Sequence, residues 1–142
     1  MPSNTVWKRN GGNDEMTSLS EFKPAFMTVE ERGPIVVAHI SRQNLSEEEN
    51  IEELGQEFTR LVEHFGCRQL AVSLQNVNVV TSAALGKLIS LHRNLHRRDG
   101  RLVICGVHGM VEDVLKTARL TDYFTMAKTV DDAVTLLNNA VV

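Results

Sequence analysis

Apolar and polar positions along the chain change period several times, and each change marks a new element. Phe26-Met27-Thr28-Val29-Glu30 alternates weakly, Arg32-Gly33-Pro34 interrupts it, and Ile35-Val36-Val37-Ala38-His39-Ile40 follows. Two β-rich runs around a Gly-Pro break predict a hairpin. The period then lengthens: Ile51, Leu54, Phe58, Leu61, Val62 and Phe65 recur at helical spacing, with Gly66 as the stop signal. Ser46 with Glu49 three residues on has the form of a capping box at the start of this helix. Its outer face would carry Glu47, Glu48, Glu49, Glu52, Glu53 and Glu57.

Leu70 to Leu74 is a short apolar run, the pattern of a buried strand. The connector Asn76-Val77-Asn78-Val79-Val80 leads to a second helix from near Ser82 to Arg98, with Leu85, Leu88, Ile89 and Leu95 as its apolar stripe and Ala84 and Leu91 at the margins. Asp99-Gly100 ends it, and Arg101 to Cys105 is the next strand. Gly106-Val107-His108-Gly109 turns into a third helix with Val111, Val114, Leu115 and Ala118 inward. Tyr123 to Met126 suggests a last short strand, and Thr129 caps a final helix holding Val134, Leu137 and Val141 inward.

The order is strand, strand, helix, strand, helix, strand, helix, strand, helix. Such alternation predicts an α/β fold with right-handed crossovers: a mixed, largely parallel sheet of four to five strands and about four helices. The core is expected to contain Val36, Leu70, Val72, Leu85, Leu88, Val103, Leu115 and Leu137. Residues 1–23 are polar, apart from Trp7, and show no apolar period; they read as a flexible tail ahead of one domain, 24–142.

Length and composition agree with that single domain. The 142 residues are 42 % apolar and 23 % charged, enough for one core without staples. A net charge of −3 carries no nucleic-acid footprint, and no apolar run approaches membrane-spanning length. The polar N-terminus lacks the apolar stretch of a signal peptide, so a cytoplasmic protein is expected. Cys67 and Cys105 are the only cysteines and fall at opposite ends of neighbouring strands. At ~3.3 Å per residue they are too far apart to bridge and are expected as buried small hydrophobes.

Few residues suggest chemistry. Ser82 opens the second helix, where Ser is a preferred cap. The same place offers free backbone N–H groups and positive dipole, so a phosphate added there would find donors ready. His92 and His96 are four apart on that helix, but no third ligand or zinc-protease Glu accompanies them; no metal site is expected, and a packed and a solvated His account for the pair. Gly106 to Gly109 lacks both the dinucleotide fingerprint and the Lys-Ser/Thr of a P-loop. Ser82 and His108 fall at the same carboxyl edge of the sheet, where open α/β folds place their sites. A Ser–His hydrolase is therefore an alternative, although no nucleophile-elbow glycines or acidic orienter accompany the pair. An anion- or nucleotide-sensing site at that edge is another. No cofactor is implied. Arg93, Arg97, Arg98 and Arg101 make the end of the second helix basic, in contrast to the acidic first helix.

The stretch from Leu70 to Val134 resembles the STAS domain, the fold of bacterial anti-sigma factor antagonists. Strand Leu70 to Leu74, connector Val77 to Val80, Thr81-Ser82-Ala83-Ala84-Leu85-Gly86, the helix to Arg98, Gly100-Arg101-Leu102, Gly106 and Asp131-Asp132-Ala133 follow the order of the family's motifs. The resemblance implies a non-enzymatic regulator of transcription in which the Ser82 position is phosphorylated by a kinase that is also the anti-sigma factor. The partner implied is such a kinase or a scaffold of related domains, with no nucleic acid and no membrane. Thr81 stands where the family has Asp, Ala83-Ala84 where it has Ser-Gly, and Ser73 where Asp is frequent. Fewer negative charges near Ser82 would repel an added phosphate less, and Thr81 becomes a second candidate acceptor. The partner face expected from this likeness comprises Ser82, Ala83, Lys87 and Ser90, with Thr81 beside them.

Overall fold

Continuous apolar runs such as 35–38 and 70–72 demand cover on both sides, and the computed structural model, which describes residues 19–141 and side chains as far as Asn139, supplies it. Strands β1 (Met27–Arg32) and β2 (Ile35–Ile40) form the expected antiparallel hairpin, turned at Gly33 with φ +64°. Strands β4 (Gln69–Ser73), β6 (Arg101–Cys105) and β7 (Thr125–Ala127) extend it in parallel, in the spatial order β1-β2-β4-β6-β7. Helices α1 (Glu48–Thr59), α2 (Ser82–Arg97), α3 (Gly109–Thr117), the single turn α4 (Leu120–Tyr123) and α5 (Val130–Val141) fill the connections.

The two faces of the sheet are divided by residue parity, as pleating requires. Val36, Ala38, Leu70, Val72, Leu102 and Ile104 pack with Leu54, Phe58, Leu85, Leu88 and Leu95 of α1 and α2. Their neighbours Ile35, Val37, Ala71, Val103 and Cys105 pack with Ala133 and Leu137 of α5. Every residue expected in the core is buried. Arg32 ties the hairpin to α5 by bridging Glu30 (2.7 Å) and Asp131 (2.8 Å).

Five local features differ from the expectation. A second, two-stranded parallel sheet joins β3 (Asn44–Leu45) to β5 (Val79–Val80). Because Leu45 is held in that pairing, α1 starts after Glu47 and the Ser46–Glu49 box does not form; Asn50 Nδ2 instead donates to Glu47 Oε1 at 2.7 Å. The helix then widens into a π-turn at Arg60–His64, which keeps Leu61 and Val62 inward before Gly66. Leu91 and Ala84 are fully inside rather than marginal.

The fifth difference is Glu57, expected outside with the other glutamates but only 4 % exposed. A segment ahead of β1 crosses this face of α1. It begins with a 3-10 turn at Leu19–Glu21, and Leu19 and Phe22 are buried, the Phe22 ring 5.1 Å from that of Phe65. Its backbone donors need acceptors away from water, and Glu57 accepts from the N–H groups of Ala25 (2.6 Å) and Phe26 (3.2 Å). Among the described residues, Leu19 and Phe22 thus already pack on the domain ahead of residue 24. Trp7 and the rest of residues 1–18 lie outside the described residues, as does the Val141 side chain.

Both cysteines are free and buried, and burial pushes the Cys67 thiol up to about 12.

Two substitutions test this packing in urea melts. Leu88→Ala removes a fully enclosed side chain and should cost ~2–5 kcal/mol. Glu57→Ala strands buried backbone donors and should cost about 1–3 kcal/mol, whereas Glu53→Ala on the exposed face should cost under ~0.5 kcal/mol. Equal losses at Glu57 and Glu53 would remove the clamp from the account.

Candidate functional site

Parallel strands send their following helices back from one edge, so the starts of α2 and α3 meet at the carboxyl edge of the sheet. The start of α2 is set by a junction between the two sheets. Thr81 is the cap: its backbone is extended, its Oγ1 accepts from the Ala84 N–H at 3.4 Å, and its carbonyl accepts from the Leu85 N–H. The same hydroxyl donates to the Leu45 carbonyl at 3.3 Å, and the Thr81 N–H donates to that oxygen at 3.2 Å. Thr81 is therefore half-buried, with its hydroxyl engaged as both donor and acceptor.

Ser82 is not the cap but the first helical residue. It is exposed, and among the described residues its hydroxyl makes no hydrogen bond. Ala83 beside it is exposed too. The first turn holds no acidic side chain, and the N–H groups of Ser82 and Ala83 have no intrahelical acceptor, so this tip of α2 is electropositive.

Lys87 and Ser90 continue along the flank that turns toward α1. Lys87 does not stand free on the Ser82 face: its Nζ pairs with Glu52 Oε1 at 3.1 Å. Its stem lies across Gly55, where a Cβ would come within 2.7 Å of the Lys87 Cδ. Ser90 is exposed on the wall of the α1–α2 groove. The four residues expected on one partner face therefore divide between the tip of α2 and this groove.

Ser73 is buried and accepts from the Gln75 N–H at 3.4 Å, so it is a strand-end anchor rather than part of the exposed tip. Across the edge, Gly106 has φ +75°, and a Cβ there would meet the Gln75 backbone nitrogen at 3.0 Å. His108 Nε2 donates to the Gln75 carbonyl at 2.7 Å. His108 thus holds the loop against Gln75, and among the described residues it makes no hydrogen bond to Ser82.

On the far part of α2, His92 packs against Tyr123 (ring centroids 4.8 Å apart) and Phe124 (5.8 Å), while exposed His96 stacks on it at 6.2 Å. Desolvation, then the neighbouring His96, holds His92 below the ordinary histidine value. Among the described residues no group of three or more His, Cys, Asp or Glu side chains is placed to hold a metal ion, and no helix is long and apolar enough to cross a membrane.

The sequence reading missed Asn94, which is buried inside the stripe between Leu91 and Leu95. Its Nδ2 donates to Glu63 Oε2 (3.1 Å), and its Oδ1 accepts from Arg98 Nε (3.0 Å) and Arg97 Nη2 (3.4 Å). An amide within an apolar helical stripe was the available signal.

The two hydroxyls make separable predictions. Thr81→Ala should cost ~1 kcal/mol as a lost cap, and Ser82→Ala under ~0.5 kcal/mol as a surface change, both read from thermal and urea melts. A larger loss at Ser82 would return the cap to it. An NMR titration should place His92 below 6.5. A histidine lowered by folding binds its proton more readily when unfolded. Its contribution to stability is therefore present above the unfolded value and falls as pH drops from there to the folded value; His92→Phe should flatten that slope.

The family model described as the STAS domain matches residues 19–133. No curated protein matches. Among solved structures, a candidate anti-sigma factor antagonist from Thermotoga maritima is similar at 15 % identity and TM-score 0.71, covering 79 % of this chain and 94 % of its own. An anti-sigma factor antagonist from Mycobacterium paratuberculosis is similar at 20 % identity and TM-score 0.70, covering 79 % and 92 %. The Bacillus cell fate determinant SpoIIAA in its phosphorylated form is similar at 14 % identity and TM-score 0.61, covering 78 % and 98 %. At these identities the structural likeness is one of fold. The match over residues 19–133, with the five-stranded, mostly parallel sheet, shows that the chain belongs to the STAS domain family.

Proposed function

We propose that this chain is a regulatory protein-binding domain of the anti-sigma factor antagonist kind, acting in the cytoplasm, with the tip of α2 as the centre of its contact face and Ser82 as its phosphoacceptor. The observation that carries the reading is the contrast between adjacent hydroxyls. Thr81 is engaged twice, whereas Ser82 is exposed at the positive start of a sixteen-residue helix. That contrast favours Ser82 over Thr81 as the acceptor. SpoIIAA, similar in fold, is known in a phosphorylated form, which is compatible with modification on this scaffold.

The partner that fits is a protein kinase acting as an anti-sigma factor, or a scaffold of related domains. In the transfer, Ser82 Oγ forms a bond to the γ-phosphorus of the kinase's ATP. The bond from that phosphorus to the bridging oxygen of ADP breaks, and the hydroxyl proton passes to a base on the kinase. About −2 charges would then stand where an uncharged hydroxyl met the partner. The helix N-terminus stabilises that charge in the free domain, while the partner face would have to desolvate it. The modified form would accordingly dissociate with its fold intact. Ala83 leaves the rim of the contact small and unobstructed, and the Lys87–Glu52 pair borders it on the α1 side.

The test is a titration of the purified partner kinase against wild type, Ser82→Ala and Ser82→Asp, with melting curves as control. Ser82→Asp should weaken binding tenfold or more, on the order of 1.4 kcal/mol, with little change in melting. Ser82→Ala should bind as wild type does and should carry no phosphate when incubated with kinase and ATP. Unchanged affinity for Ser82→Asp would move the contact face away from the tip of α2, and phosphate found on Thr81 would overturn the assignment of the acceptor.

A further inference from the structure

The flank of α2 that faces α1 carries a charge arrangement that the contact face does not use. Lys87, Ser90, Asn94 and Arg97 follow one another at three- and four-residue steps, so they line one side of the helix. Opposite them run Glu52, Gln56, Thr59, Arg60 and Glu63 of α1 and its π-turn. Together they enclose an open groove of about 550 Å³, within the ~300–1,000 Å³ typical of small-molecule sites.

Each carboxylate lining this groove is already matched. Glu52 pairs with Lys87 at 3.1 Å. Glu63 pairs with Arg98 Nη2 at 3.5 Å and accepts from Asn94. The side chains of Arg60 and Arg93 have no ion-pair or hydrogen-bond partner among the described residues, and the Arg97 side chain donates only to the Asn94 amide oxygen. The groove therefore holds three guanidinium groups that make no ion pair among the described residues, on a chain whose net charge is −3.

The arrangement is also braced. Asn94 is buried in the groove floor, and its amide oxygen fixes the guanidinium of Arg97 while its amide nitrogen holds Glu63 aside. Gly55 leaves the space in which the Lys87 stem lies, which carries that ammonium across to Glu52. The side chains left over are donors: the guanidinium forks of Arg60, Arg93 and Arg97, with the hydroxyl of Ser90 on the same wall. A planar fork of N–H groups matches phosphate oxygens two at a time. Three such forks on one groove exceed what a single charge needs.

We propose that the α1–α2 groove binds a small soluble ligand bearing a chain of two or more phosphates, held by Arg60, Arg93 and Arg97. The site is separate from the tip of α2 and does not depend on the phosphorylation of Ser82.

Inorganic tripolyphosphate is the probe, titrated into the full chain at about 0.15 M salt, where diffuse surface attraction is largely screened. Binding is read by calorimetry and by the NMR signals of the arginine side-chain N–H groups. The expected result is saturable binding of one tripolyphosphate per chain, with the Arg60, Arg93 and Arg97 signals shifting together. Arg60→Gln combined with Arg93→Gln should weaken it at least tenfold. Both residues are exposed and unpartnered, so melting should be unchanged. Arg101→Gln, an exposed arginine outside the groove, should leave the affinity within twofold and so excludes a bulk charge effect. Non-saturable binding, shifts at other arginines, or equal losses in the Arg101 variant and the double variant would overturn the proposal. A hexaglutamate peptide binding more tightly than tripolyphosphate would also overturn it, in favour of an acidic protein segment. Partner titrations of Ser82→Asp are independent of all these outcomes, so failure of the groove and failure of the regulatory reading are told apart.

Discussion

The central residues of strands β2, β4 and β6 meet water on neither face, and most of the architecture follows from that constraint. A parallel strand covered on both sides must be apolar at consecutive positions, as Ile35-Val36-Val37-Ala38 and Leu70-Ala71-Val72 are. Parity then sends alternate residues to different layers, one set to α1 and α2 and the other to α5. Right-handed crossovers leave every helix after a parallel strand starting from the same sheet edge. The meeting of the α2 and α3 starts, and with it the neighbourhood of Ser82 and the Gly106 loop, is a consequence of burying the central strands.

Polar contacts do the finer work on this frame. One carbonyl, that of Leu45, accepts both the N–H and the hydroxyl of Thr81 and so fastens the start of α2 to the β3–β5 pair. That fastening spends the Thr81 hydroxyl and leaves the one on Ser82 outside. The same logic appears at Glu57. Its carboxylate is buried because a crossing segment brings two backbone donors that need acceptors, and the cost of desolvating it is offset by charge-assisted hydrogen bonds.

The two flanks of α2 carry different chemistry because they have different neighbours. At its tip Ser82 and Ala83 are exposed, and these small uncharged side chains leave an open, electropositive surface among the described residues. Further along, α1 lies close enough to draw Lys87 and Glu63 into pairs, which leaves Arg60, Arg93 and Arg97 as surplus donors. The contact face proposed around Ser82 and the basic groove are therefore set apart along one helix.

Much of the fold was legible in the amino-acid order. Apolar period alone placed the hairpin, the three parallel strands, the long helices and every residue of the expected core, because burial on a helix or strand imposes its repeat on the sequence. The order of motifs around Thr81-Ser82 identified the family. Features set by partners distant in sequence were not legible. The β3–β5 pair is two residues long on each side, too short to show a period, yet it decided that Thr81 rather than Ser82 caps α2 and that the Ser46 box is not used. Glu57 looked like one more solvated glutamate until the segment from Leu19 covered it. Lys87 belonged to an exposed face until α1 supplied Glu52. Local sequence determines which residues prefer water and at what repeat. Which polar groups end up paired depends on what the rest of the chain lays against them, and only the tertiary structure decides that.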